Sequence, residues 1–297
     1  ERKTVSKGLT LQDAFDEYMD FIRAHRKPRT VEQYEWKWRK HLEDWSAGRG
    51  LKQIRRKDVT ALHLRLGNES GHHMANRVMA LLRAVINRAI REHELEIPNP
   101  AAGVTFFKES SRSRRLLIEE LPHFFKAVKA EPNGNIRDFV MLALFTGVRK
   151  ATLLAMRWDH IRLEQGLWVI PAVESKTGEE PPVVLSHHVI EILKARRERV
   201  AGPYVFPGER GAPHMMDPKM GWKRILERAG LENLRMHDLR RSLASFQIDT
   251  GTPLEVIQKT LGHENKATTE IYARMAMEPV RASLEVAIEE MIRQGNE

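Results

Sequence analysis

Along the first hundred residues apolar positions recur with the spacing of amphipathic helices. Leu11, Phe15, Tyr18, Met19 and Ile22 form one stripe, and Thr10 followed by Asp13 predicts the cap that starts it. Lys27-Pro28-Arg29 interrupts the pattern, and Thr30 with Gln33 reads as a capping box for a second helix running through Trp45. That helix, VEQYEWKWRKHLEDW, interleaves aromatic and basic side chains, which suits either a core with a solvated face or a face laid along a nucleic-acid backbone. A third helix is predicted over about Asp58 to Leu66. A fourth, His73 to His93, turns Met74, Val78, Leu81, Leu82, Val85, Ile86 and Ala89 inward. Its arginines Arg77, Arg83, Arg88 and Arg91 point elsewhere, so residues 1–105 predict a small four-helix bundle with a basic outer surface.

The periodicity lapses over residues 106–115, FFKESSRSRR, a polar, serine-rich and basic stretch that reads as a linker. Arg112, Arg114 and Arg115 there, with Arg77, Arg83 and Arg88 of the fourth helix, are the candidate backbone-contacting residues. Residues 116–297 form a second domain, again mostly helical. A helix over about Ile118 to Ala130 is followed by the apolar helix IRDFVMLALFTG, which stops at Gly147. KATLLAMRW reads as the next helix. GLWVIPA and PPVVLS read as two short strands with Lys176-Thr177-Gly178 at or near their turn. Further helices are predicted over His187 to Val200, Asp217 to Ala229, Met236 to Ile248 and Leu254 to Leu261, the last ended by Gly262. A final amphipathic helix over Pro279 to Gln294 suits either its own domain or a neighbouring protomer. The fold class is mainly α, with one small β-hairpin.

Charge narrows the partner. A formal net charge of +9 and a pI near 9.8 imply a polyanion. The absence of cysteine excludes disulfides and thiolate metal sites. The longest apolar run, Phe139 to Phe145, is too short to span a bilayer, and no signal-peptide pattern opens the chain, so the expected location is cytoplasmic and nucleoid-associated. The chain begins at Glu1 without a methionine, which suggests a piece of a longer protein.

The densest chemistry lies in MHDLRRSLASFQIDTGTPLEVIQKTLGHENKATTEIYARM. His237 and Arg240, three residues apart, would share one face of a first helical turn, where backbone N–H groups, imidazole and guanidinium all suit a phosphate. His263 stands just past Gly262, and Tyr272 follows nine residues later. Each alone is an ordinary helix start, cap or packing residue. Together, HDLRR and then LGHENKATTEIYA resemble the C-terminal signature of the tyrosine recombinases, the phage-integrase class of DNA strand-exchange enzymes. The resemblance asks for two residues upstream, an arginine after Thr-Gly and a lysine on a β-hairpin. Arg149 in FTGVRKATLLAMRW and Lys176 in ESKTGEE match them.

The resemblance implies a core-binding, SAM-like helical bundle followed by a catalytic domain. It implies Tyr272 as nucleophile forming a 3′-phosphotyrosyl link, Arg149 and Arg240 as a phosphate clamp, His237 and His263 as proton-handling groups, and Lys176 as proton donor to the 5′ oxygen. Two permanently charged guanidiniums suit such a clamp. No metal-ligand pattern or phosphate-binding glycine loop is present, so no metal, ATP or other cofactor is expected. The implied partners are double-stranded DNA, a homo-tetramer on two DNA sites and accessory DNA-bending proteins, in integration or excision of a phage or mobile element. Thr152 departs from the family's usual acid three positions after the first arginine, and Arg241 from its frequent histidine. A type IB topoisomerase and a catalytically retired DNA-binding accessory protein are the competing readings.

Overall fold

A computed structural model describes residues 8–109, 112–171, 182–209 and 211–262. The chain divides into two compact units, residues 1–112 and 113–297.

The first unit is helical, as its periodicity predicts. In α1 (Leu11–His25) Thr10 and Asp13 cap each other: Asp13 N–H donates to Thr10 Oγ1 at 3.1 Å and Thr10 N–H to Asp13 Oδ2 at 3.0 Å. The stripe Leu11, Phe15, Tyr18, Met19, Ile22 is buried. The second helix differs from expectation at both ends. α2 (Pro28–His41) begins on Pro28 itself, because proline's fixed φ and missing N–H suit the first helical position as well as they suit a break. The helix pauses at Leu42, and α3 (Glu43–Ser46) follows as a separate turn. Trp38 of α2 stacks on Phe15 with ring centroids 3.8 Å apart, and its indole N–H donates to Gln12. α4 (Arg56–Ser70) is longer than predicted, with Arg55 N–H donating to Asp58 Oδ2 at its start. α5 (His72–Glu92) is the backbone of the unit, burying Ala75, Val78, Met79, Leu82, Val85 and Ile86 against α1 and α4. Among the described residues the bundle thus has five α-helices where four were expected.

The second unit is built around α7 (Gly134–Thr146), whose buried Phe139, Val140, Leu142 and Ala143 leave little polar face. Asn133 caps its start, accepting from Asn135 N–H and Ile136 N–H. Gly147 ends it in the left-handed region, φ 62°. α6 (Leu121–Lys129) precedes it, preceded by a 3₁₀ turn over Ile118–Glu120 where a single helix was expected. After α7, α8 (Lys150–Leu154) is short. The rest of KATLLAMRW leaves the helix, since Arg157 forms a β-bridge to Tyr204. β1 (Ile161–Arg162), β2 (Leu167–Trp168) and β3 (Val183–Val184) form an antiparallel sheet in the order β1-β2-β3, one strand more than predicted. Trp168 is buried beneath it. α9 (His187–Arg197), α10 (Lys219–Ala229) and α11 (Asp238–Asp249) pack on α7, and α12 (Leu254–Leu261) packs on α11 through Ala244, Ile248, Ile257 and Leu261. Among the described residues no helix is long and apolar enough to cross a membrane.

Candidate active site

The site assembles at the ends of α7 and α12 and the starts of α8 and α11. α7 stops at Gly147, and two residues later Arg149 stands at the N-cap of α8. Thr146 shapes this turn: its hydroxyl donates to Leu142 O at 2.7 Å and accepts from Val148 N–H at 3.3 Å. Arg240, in the first turn of α11, is 5% exposed. Its Nη1 donates to Gly147 O at 2.6 Å, and its Nη2 donates to Leu261 O. Both acceptors lie at helix C-termini, where unsatisfied carbonyls carry partial negative charge. One guanidinium therefore joins the end of α7 to the end of α12. Only a glycine fits the joint: a Cβ on Gly147 would stand 3.0 Å from Leu243 and 3.1 Å from Leu261, on a backbone at φ +62°.

Arg149 and Arg240 line one cleft of about 450 Å³ with Val183, Val184, Lys259 and Gly262. A larger hollow, beside Trp158, Arg162 and Arg197, is lined by none of Arg149, His237 and Arg240. His237 sits at the N-cap position of α11. The residue is exposed, yet desolvation of its ring holds the imidazole below the usual histidine range. Arg241 and then Arg240 add to the depression, Asp238 opposes it and Arg149 adds again. The buried Asp238 carboxylate accepts from Arg235 N–H at 2.8 Å and from Arg241 Nη1 at 2.9 Å, which fixes the turn carrying His237. Thr152 lies in α8, partly buried.

Three of the six predicted catalytic residues, Arg149, His237 and Arg240, are thus neighbours, two of them 91 residues apart in sequence (240 − 149). Lys176, His263 and Tyr272 lie outside the described residues, as does the helix predicted over 279–294. Lys176 falls in sequence between the paired strands β2 and β3, and His263 directly follows Gly262 of the cleft. Lys259 was not among the sequence-predicted residues. Its only signal was a basic position in the last turn of a short amphipathic helix. Among the described residues no group of three or more His, Asp or Glu side chains is placed to hold a metal.

The six arginines singled out for DNA fare unevenly. Arg77 is exposed, with only a 4.0 Å approach to Glu109. Arg83 instead donates to Ala101 O and lies over the Phe106 ring, and Arg88 lies 3.9 Å over Phe21 beside Glu92. Arg114 grips Glu120 through two hydrogen bonds of 2.8 and 2.7 Å, Arg115 meets Asp249 at 3.1 Å, and Arg112 is partly buried. Arg83, Arg88, Arg112, Arg114 and Arg115 are therefore engaged within the fold, and Phe107 and Glu109 are held by Asn76 where an exposed linker was expected.

Two arginines share one cleft, and a histidine whose titration both of them depress stands at the start of the helix that carries Arg240, a set of groups chemically suited to an oxyanion. The sequence profile described as the phage integrase family matches residues 114–278. The tyrosine recombinase XerD of Shewanella oneidensis is 30% identical over 251 residues, 78% of this chain and 80% of its own length. The integrase of Salmonella phage P22 is 25% identical over 210 residues, 67% of this chain and 53% of its own, so the chain spans about half of that relative. Among solved structures, a lambda integrase tetramer bound to a Holliday junction superposes with a TM-score of 0.72 at 21% identity, covering 89% of this chain and 80% of that one. The Tn1549 transposon integrase in complex with a circular-intermediate DNA superposes with a TM-score of 0.79 at 14% identity, covering 94% and 100%. The chain belongs to the phage integrase family, the tyrosine recombinases.

Proposed function

We propose that this protein cuts and rejoins double-stranded DNA at a defined site through a 3′-phosphotyrosyl intermediate, serving integration or excision of a phage or other mobile element. The observation that carries the reading is the shared cleft of Arg149 and Arg240. In the proposed step the Tyr272 phenolic oxygen attacks the scissile phosphorus, the bond from phosphorus to the 5′ oxygen breaks, and Lys176 delivers a proton to that oxygen. The phenol proton leaves to a nearby base. Rejoining reverses the exchange: a 5′ hydroxyl attacks the phosphotyrosine and returns the proton and the tyrosine. Arg149 and Arg240 hold the non-bridging oxygens as charge builds, and His237 and His263 hydrogen-bond to the phosphate and handle protons. His237, kept largely neutral at pH 7 by its surroundings, is suited to exchanging a proton. The domain boundary falls between the helical bundle and this catalytic unit, so the bundle supplies a second grip on the duplex. The active species is a homo-tetramer on two DNA sites, with accessory DNA-bending proteins.

The test is a nicked duplex bearing the cognate site. The unaltered protein is expected to leave a denaturation-resistant adduct in which a tyrosine peptide is joined to a 3′ phosphate. Tyr272→Phe should bind the duplex and leave none. Arg149→Ala and Arg240→Ala should slow adduct formation at least about a hundredfold. Arg240→Ala should also lower the melting temperature, because it strands the carbonyls of Gly147 and Leu261. An adduct formed by Tyr272→Phe would place the nucleophile elsewhere, and relaxation of any supercoiled plasmid without a defined site would favour the topoisomerase reading.

A further inference from the structure

α12 has two working faces. Ile257 and Leu261, one turn apart, are buried against Ala244 and Ile248 of α11. Val256, Lys259 and Thr260, at the spacing i, i+3, i+4, share another side of the helix and line the cleft that also holds Arg149 and Arg240. That face is set by polar contacts as well as by packing. Leu261 O accepts from Arg240 Nη2, Gln247 Nε2 donates to Thr260 Oγ1 at 3.3 Å, and Gly262 N–H closes the last turn on Lys259 O at 3.1 Å. The Thr260 hydroxyl is already engaged, donating to Val256 O at 2.9 Å, and the Val256 side chain is apolar. Among the described residues, the exposed Lys259 ammonium is therefore the ionic group that α12 brings to the cleft.

The described residues lining this cleft include three cations, Arg149, Arg240 and Lys259, and no acid. Glu255 stands four residues before Lys259, at the spacing of a helical Glu–Lys pair, yet among the described residues Lys259 makes no ion pair. The wall beside the cations is apolar: Val184 is 77% exposed and Val256 48% exposed. Like charges gathered against such a wall favour an anion among them. Forked guanidiniums suit the paired non-bridging oxygens of one phosphate, whereas a lysine is a single point charge on a flexible stem, suited to a phosphate of its own. Successive phosphates of one strand follow at about 3.4 Å along the duplex axis, so a strand that sets its scissile phosphate at the arginines carries the next one past the same wall.

We propose that Lys259 contacts the phosphate adjacent to the scissile one on the cleaved strand and so holds that strand in register for cleavage. The effect on cleavage rests on the recombinase reading; the contact with a backbone phosphate is read from binding alone. A lysine in a last helical turn also compensates the helix dipole. The two roles separate, because a helix-end role shows in the melting temperature and is indifferent to any one phosphate.

The test combines Lys259→Gln with cognate duplexes in which one phosphate at a time, on either side of the scissile one, is replaced by an uncharged methylphosphonate. Lys259→Gln should slow single-turnover adduct formation at saturating DNA at least about tenfold, the scale of ångström misplacement. It should also flatten the slope of log affinity against log salt by about 0.9, the value for one phosphate contact. Neutralising the adjacent phosphate should do the same to the unaltered protein and bring no further loss to Lys259→Gln. Lys259→Arg, which returns the charge, should restore most of both. Losses that add at every position would overturn the proposal, as would coupling at the scissile phosphate alone. So would an unchanged adduct rate or an unchanged salt slope, whatever the melting temperature. If the unaltered protein forms no adduct on any duplex, the recombinase reading fails. The same cycle, measured as Kd on the duplex bound most tightly, then decides the contact: coupling to one phosphate sustains it, and additivity at all of them overturns it.

Discussion

The guanidinium of Arg240 is bound to two main-chain carbonyls, so the side chain assigned to phosphate also ties together the helix ends that carry its neighbours. Arg241, one residue on, acts by charge. It pairs with Asp238 and, after desolvation, is the foremost cause holding His237 below the ordinary value of 6.5. The sign of the consequence follows from linkage. As pH falls through about 6.5 the unfolded chain takes up a proton that folded His237 still refuses, so stability contributed by this residue is present above that pH and declines below it, until the folded group also protonates. Arg241→Gln removes a positive neighbour and frees Asp238 to attract the proton. The His237 titration, followed by imidazole NMR, is expected to move up toward 6.5, and the acid side of the cleavage pH profile should move with it. An unchanged titration would mean that desolvation and the remaining charges, not Arg241, set the value.

Between elements, the heaviest polar joint is Glu131, fully buried after α6. Its carboxylate accepts from Arg224 at 2.5 and 3.1 Å and from Arg228 at 3.0 Å, two arginines one turn apart on α10, and its backbone carbonyl accepts from Arg137 of α7. The Arg224 hydrogen bonds hold the carboxyl below the usual range, so its stabilising contribution is present above about pH 4.5 and is lost as pH falls through the folded value. Glu131→Ala should cost about 2–3 kcal/mol in urea unfolding at pH 7, less than for a wholly buried pair because both arginines reach solvent. The difference from the unaltered protein should shrink in acid; a loss under about 0.5 kcal/mol would show the joint to be ornamental. None of this was legible in the sequence, where Glu131 and Arg224 stand far apart and each looks like a surface charge. Periodicity did reveal α1, α5 and α7, since their apolar stripes are long and their stops, such as Gly147, are glycines with a conformational reason to be there. It overran α2 and α8, where helical spacing of apolar residues continues past Leu42 and Leu154 although the backbone turns away. The motif spacing singled out Arg149, His237 and Arg240 as candidates, but Lys259 and the carbonyl anchors of Arg240 become visible only when distant segments meet.

Across the whole molecule the net charge of +9 sets an expectation for DNA, but which cations meet phosphate depends on which are already engaged. Each phosphate contact releases counterions, and the slope of log affinity against log salt is about −0.9 per contact on duplex DNA. Arg114 is held by Glu120 at two points and Arg115 by Asp249, whereas the Arg77 side chain is 68% exposed and approaches Glu109 at 4.0 Å. Lys37 lies close enough to Arg77 for that charge to add to the desolvation that lowers its own pKa, so two cations approach one another between α2 and α5. Arg77→Gln is therefore expected to flatten the salt slope by about one and to weaken binding on all sequences alike. Arg114→Gln should leave the slope unchanged and lower thermal stability, because it strands the partly buried Glu120 carboxylate. Fluorescence anisotropy on a duplex between about 50 and 300 mM salt separates the two. If Arg114→Gln flattened the slope and Arg77→Gln did not, the arginines that hold the inter-unit segment in the free protein would have to exchange their carboxylates for phosphate on binding, and charge engaged inside the fold would be no guide to the DNA-facing surface.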